Sequence, residues 1–324
     1  MDIMNANETR SGSGHSGLTN LGNTCYLNAA LQILSHIHEL NEYLMNIKTL
    51  NRINDSILTI EWISLYKLLW SQNCIISPNR FVSKIKELSL AQSNTTKFCN
   101  FEQNDSNEYF YFMLDCIHNS LNKLDQSDMI KLKKTSNSVL NKEIDLYETK
   151  DCSIIHSLFT SFLTYTYVNK ETNVVEFTKH EPHFMIELSI PLVDNICIED
   201  CIKHTFQEET LDTLWHDEKT NEKKQLLKKT EFGYYPTILV VHFKRWNKMN
   251  KNRQIVHFNE TLHLDEKYEL FGIINHEGNV FGGHYFSYIK KKKWFVFNDT
   301  HISQIQMQEI VCDKNYCLFY RKIK

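Results

Sequence analysis

The sequence predicts an α+β fold. Two observations carry the prediction. Over roughly the first 125 residues apolar side chains recur at three- and four-residue spacing, the period of helices with one buried face. From about residue 158 the pattern changes to short runs rich in Val, Ile, Phe, Tyr and Thr, which read as strands. The two kinds of segment are separated along the chain rather than alternating, so a parallel βαβ layout is not expected. With 324 residues, 42% hydrophobic residues and only 9 Gly and 4 Pro, the chain has the material for one large core or two ordinary ones.

Met1 to Gly14 is polar, with Ser/Gly alternation and no apolar stretch. A disordered leader over residues 1–14 is expected, without a secretory signal. Tyr26 to Leu44 places Leu27, Ala30, Leu31, Leu34, Ile37 and Leu40 on one helical face. Ile57 to Trp70 and Pro78 to Leu90 read likewise, the latter opened by Ser77-Pro78 as N-cap and first-turn proline. Asp105 to Leu124 is a fourth helix, crowded with aromatic residues. Asp125 to Lys150 is Lys/Ser/Asn-rich and reads as a loop or a mobile, partly helical insertion.

Strands are expected at Leu158–Val168, Val174–Phe177 and Phe184–Ile190, then at 238–243, 268–275, 284–290, 294–298 and 317–321. Between them Ile198–Thr205 reads as a short helix. The Lys290 to Lys293 run is expected to be a solvated hairpin tip.

Composition excludes several function classes. The formal net charge of -3 is not that of a nucleic-acid binder. The longest apolar runs, such as Thr237 to Phe243, are too short to span a bilayer. Nine cysteines at irregular spacing argue against a disulfide scaffold and for a reducing compartment.

One cysteine stands apart. Cys25 sits where a Gly/Asn-rich turn, Gly17 to Asn23, runs into the first helix. There a thiol meets the first unpaired N–H groups and the positive end of the helix dipole, both of which favour thiolate. A cysteine nucleophile needs a base and an orienting group. His284 follows Gly282-Gly283 at the start of a strand, and a pairing strand would bring Asn298 or Asp299 beside it. On these residues alone, a buried inert cysteine and a structural histidine stand as the alternative.

The chain also resembles the ubiquitin-specific proteases. Gly17 through Asn28 is similar to their cysteine box, and Tyr268 to His276 continuing to Gly282-Gly283-His284-Tyr285 is similar to their histidine box. Glu102-Gln103-Asn104-Asp105-Ser106-Asn107-Glu108-Tyr109 resembles the Gln/Asp/Glu box. Pro236 to Trp246 resembles the strand ending in His-x-Lys-Arg-aromatic, and Tyr316 to Tyr320 the closing strand. The blocks occur in the family's order.

The resemblance implies a papain-like cysteine peptidase spanning residues 15–324, with a helical thumb over about 15–155, and β fingers and a β-sheet palm over about 156–324. It implies a deubiquitinase that hydrolyses the isopeptide or peptide bond at the C-terminal glycine of ubiquitin. Cys25 would be the nucleophile, His284 the general base and acid, and Asn298 or Asp299 the group that orients the histidine. Asn20 would be the side-chain oxyanion donor. Asp105, Glu108, Gly282, Gly283 and Tyr285 would line the substrate tail's path. For Asp105 and Glu108 a capping-box role stands beside the tail-binding one. Trp246 to Gln254 and Asn275 to Phe281 match loops expected to move on binding. A peptidase for another ubiquitin-like modifier, or a catalytically weak ubiquitin-binding module, remains an alternative.

No cofactor is expected. Where many relatives carry two Cys-x-x-Cys pairs for zinc, near Tyr165 to Lys170 and Leu214 to Lys219, this chain has no cysteine. Cys197, Cys201 and His204 lie along one short helix, a poor tetrahedron, and read as two core cysteines beside a histidine. The fingers are expected to rely on Phe159, Phe162, Tyr165, Tyr167 and Phe177. The implied partners are ubiquitin and ubiquitinated proteins, with neither nucleic acid nor membrane. A monomer inside the cell, in cytoplasm or nucleus, is expected.

Overall fold

The computed structural model describes residues 12–91, 98, 102–125, 127, 130–247, 250–279 and 282–323. Most of the expected leader, residues 1–11, lies outside the described residues. The helices are α1 (Cys25–Ser35), α2 (His38–Asn46), α3 (Asp55–Ser71), α4 (Asn79–Ala91), α5 (Ser106–Leu121), α6 (Ser138–Glu148), α7 (Ile154–Phe159) and α8 (Ile198–Thr205). No described helix is long and apolar enough to cross a membrane.

The single helix expected over Tyr26–Leu44 is two helices. At the break, His36 and Ile37 donate to Ile33 and Leu34, the tighter closure of a helix end. The buried Asn41 amide adds a second donor to the carbonyls of Leu34 and Ile37, and Asn41 Oδ1 accepts from Trp62 Nε1 at 3.0 Å. A polar residue inside an apolar face thus ties the two helices together across the break, with its own buried amide satisfied. The Lys/Ser/Asn-rich stretch holds an ordered helix, α6, capped by Asn137 and anchored by buried Leu140 and Ile144.

The strands run β1 (Gly17–Leu18), β2 (Ile75–Ile76), β3 (Ser161–Asn169), β4 (Val175–His183), β5 (Ile186–Leu188), β6 (Glu209–Thr210), β7 (Trp215–Asp217), β8 (Glu222–Lys224), β9 (Leu226–Tyr234), β10 (Ile238–Phe243), β11 (Trp246–Asn247), β12 (Asn250–Lys251), β13 (Thr261–His263), β14 (Lys267–Asn279), β15 (Gly282–Lys290), β16 (Trp294–Asn298), β17 (His301–Ile305) and β18 (Asn315–Lys322). The palm is an eight-stranded sheet in the order β17-β16-β15-β14-β18-β10-β5, with β13 on β14. The fingers are a four-stranded sheet, β4-β3-β9-β6, continued by the β7-β8 hairpin.

Helix α1 lies on the palm sheet and is buried along its whole length. Its Ile33 fits over Gly272 of β14, where a Cβ would stand 2.7 Å from the isoleucine methyl. A glycine here is what lets helix and sheet approach. α5 packs on the other side of α1, so the thumb core is one apolar cluster shared with the palm. Phe159 belongs to that cluster and so does not support the fingers as expected, whereas Phe162 of β3 packs with Tyr234 of β9 and with Leu140 and Ile144 of α6 at the base of the finger sheet.

The fingers rest on Tyr167 stacked on Phe177 (4.5 Å) and on the Phe177 ring packed against the Trp215 indole (5.3 Å). Beside these rings Lys224 bridges Asp217 (2.8 Å) and Glu176 (3.0 Å). Lys291 also departs from expectation. Its ammonium donates to the Ser13 carbonyl and lies over Trp70 and Phe297, while Lys290 pairs with Glu260 and Glu269.

Candidate active site

The turn before α1 is shaped by Gly22 and Asn23, both at positive φ (92° and 56°), which these residue types tolerate. Asn20 holds the turn closed: its Oδ1 accepts from the N–H groups of Gly22 and Thr24, each at 3.1 Å. Thr24 Oγ1 accepts from Leu21 N at 2.8 Å. The chain therefore enters the helix with Cys25 as its first residue, 4% exposed. The first helical hydrogen bond runs from Asn28 N to Thr24 O, so the N–H groups ahead of it point out of the helix beside the thiol.

His284 reaches Cys25 from β15. Its Nε2 donates to Asn298 Oδ1 at 2.6 Å, which leaves Nδ1 for the hydrogen bond to Cys25. Strand parity selects Asn298. Ser287 of β15 pairs with Phe297 of β16, so Asn298 stands on the same face as Phe286 and His284, and the next residue cannot. Asp299 instead occupies the two-residue turn into β17, at φ 49°. Its carboxylate accepts from Asn20 Nδ2 (3.0 Å) and Asn28 Nδ2 (2.7 Å), and its carbonyl from Leu18 N. It clamps the cysteine turn to the palm.

The His284 imidazole is pushed up to about 9. The hydrogen bond to Cys25 is the largest cause; Asn298 and the nearby Asp299 charge add to it, and burial opposes it. The arrangement favours an imidazolium facing the sulfur, the state a thiolate nucleophile requires.

The two acidic positions of the thumb differ. Asp105 caps α5, its Oδ1 accepting from Asn107 N (2.7 Å) and Glu108 N (3.2 Å). Its Oδ2 accepts from the hydroxyls of Tyr316 (2.6 Å) and Tyr285 (3.2 Å). Tyr285, expected along the tail's path, is buried and committed to this carboxylate. Glu108 is exposed and lines, with Asp105, His242 and Tyr316, a cavity of about 920 Å³ between thumb, palm and fingers.

Gly282 and Gly283 open β15, directly before His284. A Cβ on Gly283 would stand 2.1 Å from His276 Nε2, so no side chain fits, whereas Gly282 has ordinary clearance. Gly283 N donates to Gln103 Oε1 at 2.7 Å, joining thumb to palm next to His284. Gln103, Tyr316 and Asn28 are contributors that sequence reasoning does not single out, although all three fall inside the motif blocks.

The two loops expected to move on binding are partly strand-paired. Residues 275–279 belong to β14 and pair through to Gly282, and Trp246-Asn247 pairs with Asn250-Lys251. Residues 248–249 and 280–281 of these loops lie outside the described residues. Buried Arg245 anchors the former segment, donating to the carbonyls of Asn315, Asn252 and Gln254.

Among the described residues no group of three or more His, Cys, Asp or Glu side chains could hold a metal ion. Of the Cys197/Cys201/His204 set, only Cys201 is in the core. Cys197 is the N-cap of α8, and its thiol donates to Asp200 Oδ2 at 2.9 Å.

Comparison with known proteins agrees with this architecture. The family model described as ubiquitin carboxyl-terminal hydrolase matches residues 16–320. Ubiquitin carboxyl-terminal hydrolase 2 of Bos taurus is 28% identical over 356 residues, covering 98% of this chain and 56% of its own. A protein of Acanthamoeba polyphaga mimivirus named "Probable ubiquitin carboxyl-terminal hydrolase" is 24% identical over 434 residues, covering 97% of this chain and 91% of its own. The chain thus spans about half the length of the bovine relative. The solved SAGA DUB module containing Ubp8, bound to ubiquitin aldehyde, superposes with a TM-score of 0.75 at 22% identity, over 98% of this chain and 71% of that one. That likeness establishes the α+β papain-like fold. With the family model matched from the cysteine turn to the closing strand, the chain belongs to the ubiquitin carboxyl-terminal hydrolase family.

Proposed function

We propose that the protein is a thiol-dependent deubiquitinase, hydrolysing the bond at the C-terminal glycine of ubiquitin. The observation that carries this reading is the convergence of Cys25, His284 and Asn298 beside Gly283, where His276 leaves no room for a side chain. The ubiquitin aldehyde bound to the solved relative supports ubiquitin as the substrate class.

In this reading Cys25 Sγ, its proton held by His284, attacks the carbonyl carbon of the terminal glycine. The N–H groups at the start of α1 and the remaining amide hydrogen of Asn20 stabilise the oxyanion; one such donor is worth about 3 kcal/mol. His284 then gives its proton to the departing amine, leaving an acyl-enzyme thioester. Water attacks the thioester with His284 as base, and the thiol is restored. Asn298 keeps the imidazole aligned through both steps, and Asp299 supports its positive charge from the turn. Glu108 meets the basic side chains of the ubiquitin tail, while Asp105 holds the cavity wall in shape. The chain acts as a monomer inside the cell.

A fluorogenic ubiquitin-tail substrate tests the mechanism with Cys25→Ala alongside; equal turnover by both proteins sinks it. A panel of electrophilic probes built on different modifier tails tests the substrate. Labelling of Cys25 by the ubiquitin probe alone supports this reading, and preferential labelling by another modifier's tail replaces it.

A further inference from the structure

A second cavity, of about 720 Å³, is bordered by Arg245 and the segment that follows it. Four cations line it: Lys244, Arg245, Lys251 and Arg253. No carboxylate among the described residues does. Side-chain amides and the Ser189 hydroxyl make up most of the remaining polar lining. Carboxylates outside the cavity answer two of the four charges, Glu187 that of Lys244 (3.2 Å) and Asp313 that of Arg253 (3.7 Å). Arg245 is 1% exposed and spends Nε and Nη1 on backbone carbonyls, while its Nη2 is buried without a partner among the described residues. An acceptor that reached this buried donor would remove the cost of leaving it unsatisfied.

We propose that this cavity is a binding site for a small polyanion of the phosphate class, held by Lys244, Arg245, Lys251 and Arg253. The chemistry fits on three counts. The volume falls in the range of small-molecule sites. The exposed Arg253 guanidinium is of the kind that matches phosphate oxygens, once it exchanges its present contacts for them. Positive charge outweighs the nearby carboxylates: burial, with Arg245 and Arg253 nearby, brings the Lys251 ammonium down to about 8 against the opposing pull of Asp313 and Glu277. An anion would raise it again.

The site is wired to the hairpin that carries the candidate base. Lys251 Nζ donates to His276, at its carbonyl and Nδ1, and Arg253 Nη2 donates to the Gly278 carbonyl at 3.2 Å. His276 in turn fills the space over Gly283, next to His284. An anion that recruits Lys251 and Arg253 competes with these bonds.

Calorimetric titration of the full chain with inorganic tripolyphosphate tests the site at fixed ionic strength. One saturable site is expected, weakened by added NaCl. Lys244→Gln and Arg253→Gln, both at exposed side chains, should each raise Kd about tenfold, the size of one charge-assisted hydrogen bond. Hydrogen exchange at residues 276–279 should quicken on saturation. Absence of saturable binding, unchanged Kd in both variants, or tighter binding of a pentaglutamate peptide than of tripolyphosphate would overturn the proposal. The titration is also run with Cys25→Ala protein, so its outcome is independent of whether the chain cleaves ubiquitin.

Discussion

Removing the Asp105 carboxylate separates its structural role from a substrate role. Four donors converge on it: two N–H groups of α5's first turn and the hydroxyls of Tyr285 and Tyr316. Those two tyrosines come from β15 and β18, so the carboxylate ties the thumb to the palm. Asp105→Ala loses an N-cap, about 1 kcal/mol. It also leaves two largely buried hydroxyls without their charged acceptor, each about 1–2 kcal/mol after partial rehydration from the cavity. Because the four bonds share one group they will not add fully, and about 3–4 kcal/mol is the expected loss of stability. Urea unfolding followed by tryptophan fluorescence measures it. Tyr316→Phe, which removes the 2.6 Å bond alone, should cost less than half as much. Glu108→Ala should leave the unfolding midpoint in place and raise KM for a ubiquitin-tail substrate. If Asp105→Ala keeps the wild-type midpoint and changes only KM, the carboxylate is a substrate clamp and the hub reasoning fails.

Three further outcomes follow from the same geometry. Asn298→Ala removes the acceptor at His284 Nε2 and should lower kcat about a hundredfold while the chain still binds ubiquitin; full kcat would show that the imidazole is aligned without it. The His284 value of about 9 lies above the ordinary 6.5, so its contribution to stability is complete below about pH 6.5 and lost as pH rises through about 9. Turnover should fall with an alkaline midpoint near 9, and Cys25→Ala, which removes the largest cause, should move the His284 titration seen by NMR downward. At the fingertip, Lys224→Met leaves Glu176 and Asp217 facing each other and should quicken hydrogen exchange over residues 215–224. EDTA should leave the melting temperature unchanged, and a fall on chelation would contradict the ion-pair account.

Much of this architecture is legible in the chain because its long elements carry strong periods. α3, α8, β10 and β16 fall within two residues of where apolar spacing puts them. What is not legible depends on partners distant in sequence. β9 reads Leu226-Leu227-Lys228-Lys229-Thr230-Glu231 and has no apolar stripe, since both of its faces are partly solvated. It is a strand because β3 pairs along its whole length. Cys197 reads as core from its position on α8, but its thiol's partner, Asp200, makes it a cap. Tyr285 reads as a substrate contact from its neighbours Gly283 and His284; only the fold brings Asp105 to it, 180 positions away.

The choice between Asn298 and Asp299 shows where sequence spacing stops and register begins. Both are one step from a histidine partner in a linear reading. In an antiparallel pair that step is half the side-chain period and moves a residue from one face to the other. Pairing of Ser287 with Phe297 fixes Asn298 on the His284 face. Asp299 then has no strand position left, and at φ 49° its side chain turns to Asn20 and Asn28. A neutral amide thus aligns the imidazole while the carboxylate is held at the cysteine turn. The charge that supports imidazolium and the clamp that places Cys25 come from the same side chain. Replacing Asp299 should therefore disturb the thiol's position as well as the His284 ionisation, whereas replacing Asn298 should disturb the alignment alone.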